Sequence, residues 1–311
     1  MLRFLDALHS DRVLLMDGAM GTELLRAGLP PGDKGETWNL TQPGRVLAIH
    51  KAYVAAGAQC LLTNTFQALP SDLVFPDREQ SRVAKTFEEA IFLARMAGGP
   101  EGFVLADIGP SALQSRTLDE LVGNRPLIEA LRPLVKADAV LLETYSDPLV
   151  RNAIRFLKEV VAAETDQEIP VLLSLTYHRD SGGQLRTITG NPPEAFAWPE
   201  IGALGVNCGK EMGMDEILEV VHRYRQVTDV PLFARPNAGT PARLGDHWVY
   251  PRSPQHLATR LPDLLEAGVA MVGGCCGTTP EHIAAFKPIV DHWNASHALF
   301  SPTALRNPSR R

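Results

Sequence analysis

Eight short runs of apolar residues recur along the chain, and most are rich in valine, leucine or isoleucine. They lie at Val13–Met16, Cys60–Thr63, Phe103–Ala106, Ala139–Leu142, Val171–Leu175, Leu204–Val206, Leu232–Ala234 and Ala270–Val272. Within each run the apolar residues follow one another instead of alternating with polar ones. Such runs are typical of strands that are buried on both faces of a parallel sheet. The pattern therefore predicts eight buried parallel strands.

Longer stretches with helical character follow most of these runs. They lie at Arg45–Ala56, Ser81–Ala97, Leu118–Val135, Pro148–Ala163, Asp215–Gln226, Pro254–Ala267 and Glu281–Trp293. Eight strand–helix units in a chain of 311 residues fit a closed (β/α)8 TIM barrel of the α/β class. A doubly wound open sheet is the alternative, because the spacing of the elements does not by itself require closure.

The composition favours one domain and a reducing compartment. No shift in composition divides the chain, so we expect a single barrel over residues 1–295 and a flexible tail over residues 296–311. The formal net charge of −6 does not favour binding to nucleic acid or to an anionic membrane. The N-terminal residues are interrupted by charges and lack the apolar core of a signal peptide, which predicts a cytoplasmic protein.

Acids, amides and thiols collect where the predicted strands end. Reactive residues of (β/α)8 barrels lie at the carboxyl ends of the strands, so these positions are the candidate site. The residues of interest there are Asp17, Gly18, Asn64, Glu143, Cys208, Asn237, Cys275 and Cys276. An acid such as Glu143, directly after an apolar run, would be costly to bury without a partner.

Three of the four cysteines stand at the ends of two predicted strands. Cys208 ends the run ALGVNCG, and Cys275 and Cys276 follow two glycines in MVGGCCG. Three thiolates suit a zinc ion that keeps a fourth position open for a substrate. A buried small-residue pair or a vicinal disulfide at Cys275–Cys276 is the alternative. Cys60 lies in an apolar setting and is assigned a structural role.

Six motifs in the same order resemble the homocysteine S-methyltransferase family, over about residues 11–293. They are DGAMGTELLRAG, TNTF, LLETYSD, GVNCG, RPNAG and GGCCGTTPEHI, which begin at residues 17, 63, 141, 205, 235 and 273. The family includes S-methylmethionine– and betaine–homocysteine methyltransferases and the homocysteine module of cobalamin-dependent methionine synthase.

The resemblance implies specific roles for these residues. Cys208, Cys275 and Cys276 would hold Zn²⁺ and act as the catalytic centre, with the homocysteine sulfur at the open position. Glu143 would bind the ammonium group of homocysteine. Asp17, with the backbone N–H groups from Gly18 onward, would hold the zwitterionic end of the substrate.

Asn64 and Asn237 would position the site or shape its loops. Trp38 in the long first loop would face the cationic methyl donor, since an aromatic ring attracts such a cation. Trp248 and Tyr250 are weaker candidates for the same contact.

The resemblance thus predicts methionine formation from homocysteine and a small onium donor, S-methylmethionine in the first place. Three alternatives remain. The chain could be the homocysteine-activating part of a split cobalamin-dependent methionine synthase, or a betaine-type enzyme, although betaine-type members carry a longer C-terminal extension. It could also be a zinc-thiolate binding protein without transferase activity, which the acids Asp17 and Glu143 disfavour.

Overall fold

The structure is a computed structural model that describes residues 3–71, 74–75, 78–111, 113–209, 211–244 and 247–298. Its centre is a sheet of eight parallel strands, labelled β1 to β8 in chain order. They span Leu14–Leu15 (β1), Cys60–Leu62 (β2), Phe103–Ile108 (β3), Ala139–Tyr145 (β4), Val171–Leu175 (β5), Ala203–Asn207 (β6), Leu232–Arg235 (β7) and Val269–Val272 (β8). Every one of these strands falls on a predicted apolar run.

The strands close into a barrel. From β2 to β8 each strand pairs in parallel with the next one along the chain, and β8 pairs with β1. A single parallel bridge between Met16 and Cys60 joins β1 to β2. Between β1 and β2, the Gln59 N–H donates to the Leu15 carbonyl at 2.7 Å and the Asp17 N–H donates to the Cys60 carbonyl at 3.0 Å. The predicted (β/α)8 barrel is therefore confirmed, and the open sheet is not found.

Twelve α-helices of the described residues pack against the barrel. They span Phe4–Leu8 (α1), Met20–Arg26 (α2), Trp38–Thr41 (α3), Pro43–Ala55 (α4), Glu79–Gly98 (α5), Leu118–Val122 (α6), Arg125–Leu131 (α7), Val150–Glu164 (α8), Met214–Arg225 (α9), Pro254–Ala258 (α10), Leu261–Glu266 (α11) and Pro280–Ala298 (α12). Helix α12 continues three residues beyond the predicted end of the barrel at residue 295. The remainder of the predicted tail, residues 299–311, lies outside the described residues.

Two predicted helices are each broken in two, and proline explains both breaks. The stretch predicted as Leu118–Val135 forms α6 and α7, followed by a 3-10 helix at Arg132–Lys136. The stretch predicted as Pro254–Ala267 forms α10 and α11. Both α7 and α11 carry a proline in their first turn, where the missing N–H has no helical partner to lose. The same proline inside one long helix would remove a hydrogen bond.

Two layers of apolar side chains form the core. Alternate strand residues, such as Leu14 and Met16, pack inside the barrel, whereas the intervening Leu15 packs among the residues facing the helices. Phe4 of α1 joins the inner layer, with its ring centroid 5.3 Å from that of Phe103 at the start of β3. Helix α1 therefore covers the end of the barrel where the strands begin, and the carboxyl ends remain for the site.

The long connections after β5 and β7 each contain a small antiparallel hairpin. One pairs His178–Arg179 with Leu185–Arg186, and the other pairs Ala242–Leu244 with His247–Val249. No helix in the described part of the chain has the length and apolar character required to cross a lipid bilayer.

Candidate active site

Three thiols meet at the carboxyl ends of β6 and β8. Cys208 directly follows β6, and Cys275 and Cys276 follow β8 after two glycines. The three Sγ atoms all lie within 4.8 Å of one another, and the Cys208 and Cys276 Sγ atoms are 3.7 Å apart. All four cysteines are free, so the vicinal disulfide is not observed.

The two glycines before the thiols allow a close approach of backbone segments. A Cβ at Gly273 would lie 2.6 Å from Met16 Cβ and 2.7 Å from the Asp17 carbonyl oxygen. A Cβ at Gly274 would lie 2.2 Å from Thr278 Oγ1. Side chains at these two positions would therefore push the thiol-bearing segment away from β1 and from the start of α12.

The geometry of the three thiols fits a zinc ion. Zn–S bonds of about 2.3 Å in a tetrahedral site place the sulfur atoms about 3.8 Å apart. The Cys208–Cys276 distance of 3.7 Å agrees with that value. Two amides also donate to the sulfurs, from Asn237 Nδ2 to Cys208 at 3.7 Å and from Asn207 Nδ2 to Cys275 at 3.6 Å. Such contacts to ligand atoms orient the ligands of protein metal sites.

The thiols influence one another's ionisation strongly. Hydrogen bonds from Cys275 and Cys276 lower the pKa of the Cys208 thiol to about 3. The same contacts with Cys208 raise the pKa values of Cys275 and Cys276. The cluster thus favours one thiolate that is stabilised by two protonated neighbours. A bound cation would reverse this preference, because positive charge favours the ionised form of all three thiols.

A buried cluster of charges lies beside the thiols. The Arg235 guanidinium at the end of β7 contacts the carboxylate of Glu143, and its Nη2 lies 3.6 Å from Asp17 Oδ1. Arg235, Glu143 and Asp17 are only 3%, 8% and 1% exposed. Asp17 Oδ2 also accepts the Leu62 N–H at 2.8 Å. Arg235 is therefore the protein partner of Glu143, and the contact of Glu143 with a substrate ammonium stays a prediction.

Asp107 at the end of β3 adds a third buried acid, and its Oδ1 has no hydrogen-bond partner among the described residues. Burial raises the pKa of both Asp17 and Glu143 to about 7, although the Arg235 charge opposes the shift. Burial and the nearby Glu143 also raise the pKa of Asp107. Burial lowers the pKa of Arg235, but Glu143 and Asp17 raise it by more. A cationic group that enters this cluster would favour the ionised form of the three acids, because opposite charge lowers the pKa of a carboxyl group.

An irregularity in β4 presents Glu143 to the cavity. The register between β4 and β5 shifts between Leu142 and Tyr145, and the intervening Thr144 has a φ of 64°. This left-handed conformation is strained for a β-branched residue. Asn207 donates its amide N–H to Thr144 Oγ1 at 2.7 Å and so holds the strained residue in place.

One cavity of about 570 Å³ joins the thiols to the charge cluster. Such a volume is ordinary for small-molecule sites, which span about 300–1,000 Å³. Its polar lining includes Asp107, Glu143, Arg235, Asn64, Glu36, Cys208, Cys275 and Cys276, together with Gly18. Phe66 supplies an aromatic side chain to the same wall.

The sequence model of the family described as homocysteine S-methyltransferase matches residues 14–290. The chain belongs to this family. It is 32% identical over 291 residues to the methionine synthase of Mycobacterium tuberculosis and 31% identical over 301 residues to that of Mycobacterium leprae. These matches cover 88% and 92% of the chain but only 24% and 25% of the relatives, so the chain spans about a quarter of their length.

Solved structures of a homocysteine methyltransferase, MmuM from Escherichia coli, are similar over almost their whole length. The metallated form has a TM-score of 0.67 and 27% sequence identity, over 91% of this chain and 98% of that one. The apo form has a TM-score of 0.65 and 26% identity, over 90% of this chain and 97% of that one. MmuM therefore has the same barrel as this chain.

Not every predicted site residue of this family member reaches the cavity. Asn64 lines it and also donates to the Gly35 carbonyl at 2.9 Å, so this amide fixes the first loop. Trp38 is buried in α3, outside the cavity lining, and the Arg45 guanidinium lies 5.0 Å from the centroid of its ring. The ring thus contributes to the core and to the Arg45 contact, and its predicted contact with a methyl donor stays a prediction.

Of the two weaker aromatic candidates, only Tyr250 has a described side chain. The Tyr250 ring packs against Gly277, directly after the paired cysteines, and burial followed by the nearby Cys276 raises the pKa of its hydroxyl. The side chain of Trp248 lies outside the described part of the structure.

Sequence reasoning missed the roles of Arg235 and Asp107. Both stand at strand ends, in RPNAG and ADIGP, which was the available signal. Their burial and their contact with the other acids appear only after the barrel closes.

Proposed function

We propose that this chain is a zinc-dependent homocysteine S-methyltransferase that forms methionine with a small onium compound, in the first place S-methylmethionine, as methyl donor. One observation carries the proposal: three thiols with zinc-site spacing and a buried acid–arginine cluster line the same cavity. The thiols are suited to hold a metal ion that binds the substrate sulfur. The charged groups are suited to bind the zwitterionic end of an amino acid.

The charge cluster would hold homocysteine by both of its charged groups. Glu143 and Asp107 offer carboxylate oxygens to the substrate ammonium, while Arg235 and the backbone N–H groups after Asp17 offer donors to its carboxylate. An arriving ammonium lowers the pKa of a neighbouring carboxyl group, because opposite charge favours ionisation. Binding would thereby keep Glu143 ionised at neutral pH.

Cys208, Cys275 and Cys276 would hold the metal, and Asn207 and Asn237 would orient two of these sulfurs through their amide N–H groups. When bound, zinc supplies the positive charge that keeps an added thiol ionised near neutral pH. The walls of the cavity would align the donor methyl group with that sulfur. Such alignment can account for a large part of the rate.

The proposed transfer is a single displacement. The homocysteine sulfur forms a bond to the methyl carbon as the bond from that carbon to the donor sulfur breaks, and the electron pair remains on the leaving sulfur. From S-methylmethionine the leaving group is neutral methionine, so no acid has to protonate it. The chain therefore needs positioning groups more than a general acid.

A second candidate follows from the relatives, since methionine synthases match this chain over about a quarter of their own length. The chain would then be the homocysteine-activating part of a cobalamin-dependent enzyme and would take the methyl group from a corrinoid partner. The similarity to MmuM, a homocysteine methyltransferase, supports homocysteine as the methyl acceptor in both candidates, and the donor panel distinguishes between them.

A donor panel tests the proposal. Zinc-loaded protein would be incubated with homocysteine and, separately, S-methylmethionine, S-adenosylmethionine, betaine, dimethylsulfoniopropionate and methylcobalamin, and methionine would be measured. We expect the highest kcat/KM with S-methylmethionine. Turnover with methylcobalamin alone, and no methionine from any onium donor, would replace the proposal with the second candidate.

A further inference from the structure

Glu36 is a buried acid without a role in the homocysteine site described above. It lies in the 3-10 helix Gly35–Thr37 of the first loop and is 7% exposed. Its Oε1 accepts the Gln67 N–H at 2.7 Å. Its Oε2 is buried and has no hydrogen-bond partner among the described residues. An unpaired buried carboxylate oxygen is destabilising. A bound ligand with an N–H group would supply the hydrogen bond that Oε2 lacks.

The position of Glu36 is fixed by a chain of hydrogen bonds. The Asn39 amide donates to the Asn64 carbonyl at 2.7 Å, and the Asn64 amide donates to the Gly35 carbonyl at 2.9 Å. Together with the Gln67 contact, these bonds tie the 3-10 helix to the end of β2. Glu36 is therefore pre-organised, as a charge-binding group needs to be.

Glu36 also stands where two cavities meet. It lines the cavity of about 570 Å³ that contains the thiols, and it lines a second cavity of about 320 Å³. Gln67 is shared by both in the same way. The wall that these two residues form thus has free volume on both sides, which leaves room for the far end of a second substrate.

We propose that Glu36 binds the ammonium group of the methyl donor and so selects an amino-acid sulfonium over onium donors that lack N–H groups. This inference rests on the proposed function, in which homocysteine occupies the thiols and the Asp17–Glu143–Arg235 cluster. A second zwitterion in the same cavity then needs its own anion. Glu36 belongs to this lining, and its buried Oε2 is a carboxylate oxygen that the described residues leave unpaired and that the cluster does not use.

The experiment compares S-methylmethionine with its des-amino analogue, the same dimethylsulfonium acid without the amino group. In the wild type, a charge-assisted hydrogen bond to Glu36 should favour S-methylmethionine in kcat/KM by roughly 10- to 150-fold. Glu36→Gln keeps an oxygen for the Gln67 N–H but removes the charge. It should raise the KM for S-methylmethionine, leave the KM for homocysteine unchanged and abolish the preference between the two donors.

Asp33→Asn is the matched control, since Asp33 is an exposed acid on the same loop and lines the same cavity. It should retain the wild-type preference, because water screens an exposed charge. Thermal unfolding of each variant shows whether the fold is intact. A preference that persists in Glu36→Gln, or a wild type that uses both donors equally, overturns the role of Glu36 while the methyltransferase function stands.

Calorimetric titration of S-methylmethionine into the zinc-loaded protein separates the two proposals. If no onium donor yields methionine, the proposed function fails. Glu36 then remains a binding group only if S-methylmethionine binds the wild type and binds Glu36→Gln at least 10-fold more weakly. Absence of binding to the wild type would overturn the inference as well.

Discussion

Substitution of the single residue Cys276 tests whether the three thiols bind a metal ion. Its Sγ is 3.7 Å from that of Cys208 and belongs to the cluster of three thiols. Cys276→Ser replaces a thiolate by a hydroxyl that stays protonated at neutral pH and binds zinc poorly. We expect purified Cys276→Ser to hold much less than one zinc per chain and to lose methionine formation.

The fourth cysteine provides the control. Cys60 is buried in β2, and burial raises the pKa of its thiol. Cys60→Ala should keep its zinc, with some loss of stability from the small cavity. Metal analysis by mass spectrometry checks both variants, and full zinc content with wild-type activity in Cys276→Ser would exclude the thiol site.

Substitution of Glu143 tests whether this carboxylate binds the ammonium group of homocysteine. Glu143→Gln removes the negative charge beside Arg235 but retains a carbonyl oxygen. Losing a charge-assisted hydrogen bond to a buried ammonium should cost about 1.5–3 kcal/mol, or roughly 10- to 150-fold in kcat/KM for homocysteine. Zinc content should not change, since Glu143 is not among the thiol ligands. Steady-state kinetics with varied homocysteine checks this, and an unchanged kcat/KM would remove Glu143 from the substrate site.

The carboxyl ends of the strands and the segments after them contain residues with unusual backbone geometry. Thr144 after Glu143, Cys208 after β6 and Gly277 before α12 all have positive φ values, of 64°, 52° and 78°. Each of these residues lies beside or within the site. The strand ends therefore bend sharply where reactive side chains must turn into the cavity.

Gly277 and Gly183 both have a positive φ, but they differ in the steric room for a side chain. A Cβ at Gly277 would lie 2.1 Å from Tyr250 Cγ, whereas a Cβ at Gly183, with a φ of 77°, would meet nothing within 4 Å. Gly183→Ala should cost about 1–2 kcal/mol of stability from backbone strain alone. Gly277→Ala should cost at least about 1 kcal/mol more, because the Tyr250 ring has to move.

Urea unfolding of the two alanine variants measures the difference directly. Gly183→Ala should retain methionine formation, since the hairpin that contains Gly183 does not line the thiol cavity. Equal losses of unfolding free energy in both variants would mean that the contact between Tyr250 and Gly277 does not constrain the segment.

At the scale of the whole molecule, the buried acids make stability depend on pH. Burial raises the pKa of Asp17 to about 7 in the folded protein, from a reference value of 3.8. The folded protein therefore holds a proton that the unfolded chain has already released between these pH values. Protonation favours folding here, so the contribution of Asp17 to stability is lost as pH rises from about 4 to about 7.

Asp17→Asn isolates this effect, because its amide oxygen can still accept the Leu62 N–H. We expect the wild type to lose more unfolding free energy than Asp17→Asn between about pH 5 and pH 8, in the presence of a metal chelator. Denaturant unfolding at several pH values provides the measurement. Parallel pH profiles for the two proteins would show that Asp17 does not titrate in this range.

The sequence by itself determined the eight strands, most of the helices, and the three thiols at strand ends. These features depend on local patterns. An apolar run such as Val171–Leu175 reads as a buried strand wherever it lies in the fold, and a strand-end position marks a residue such as Cys208 as a site candidate. The six motifs likewise implied the family, which the comparisons confirm.

Only the tertiary structure decided which polar groups meet and which are left unpaired. Arg235 and Glu143 are 92 residues apart in sequence, and the closed barrel brings them together. Burial of Asp107, the unpaired oxygen of Glu36 and the placement of the Trp38 ring in the core depend on neighbours from several segments. Periodicity records whether a residue prefers apolar surroundings, but pairing, burial and charge balance depend on distances between remote segments, which exist only in the folded chain.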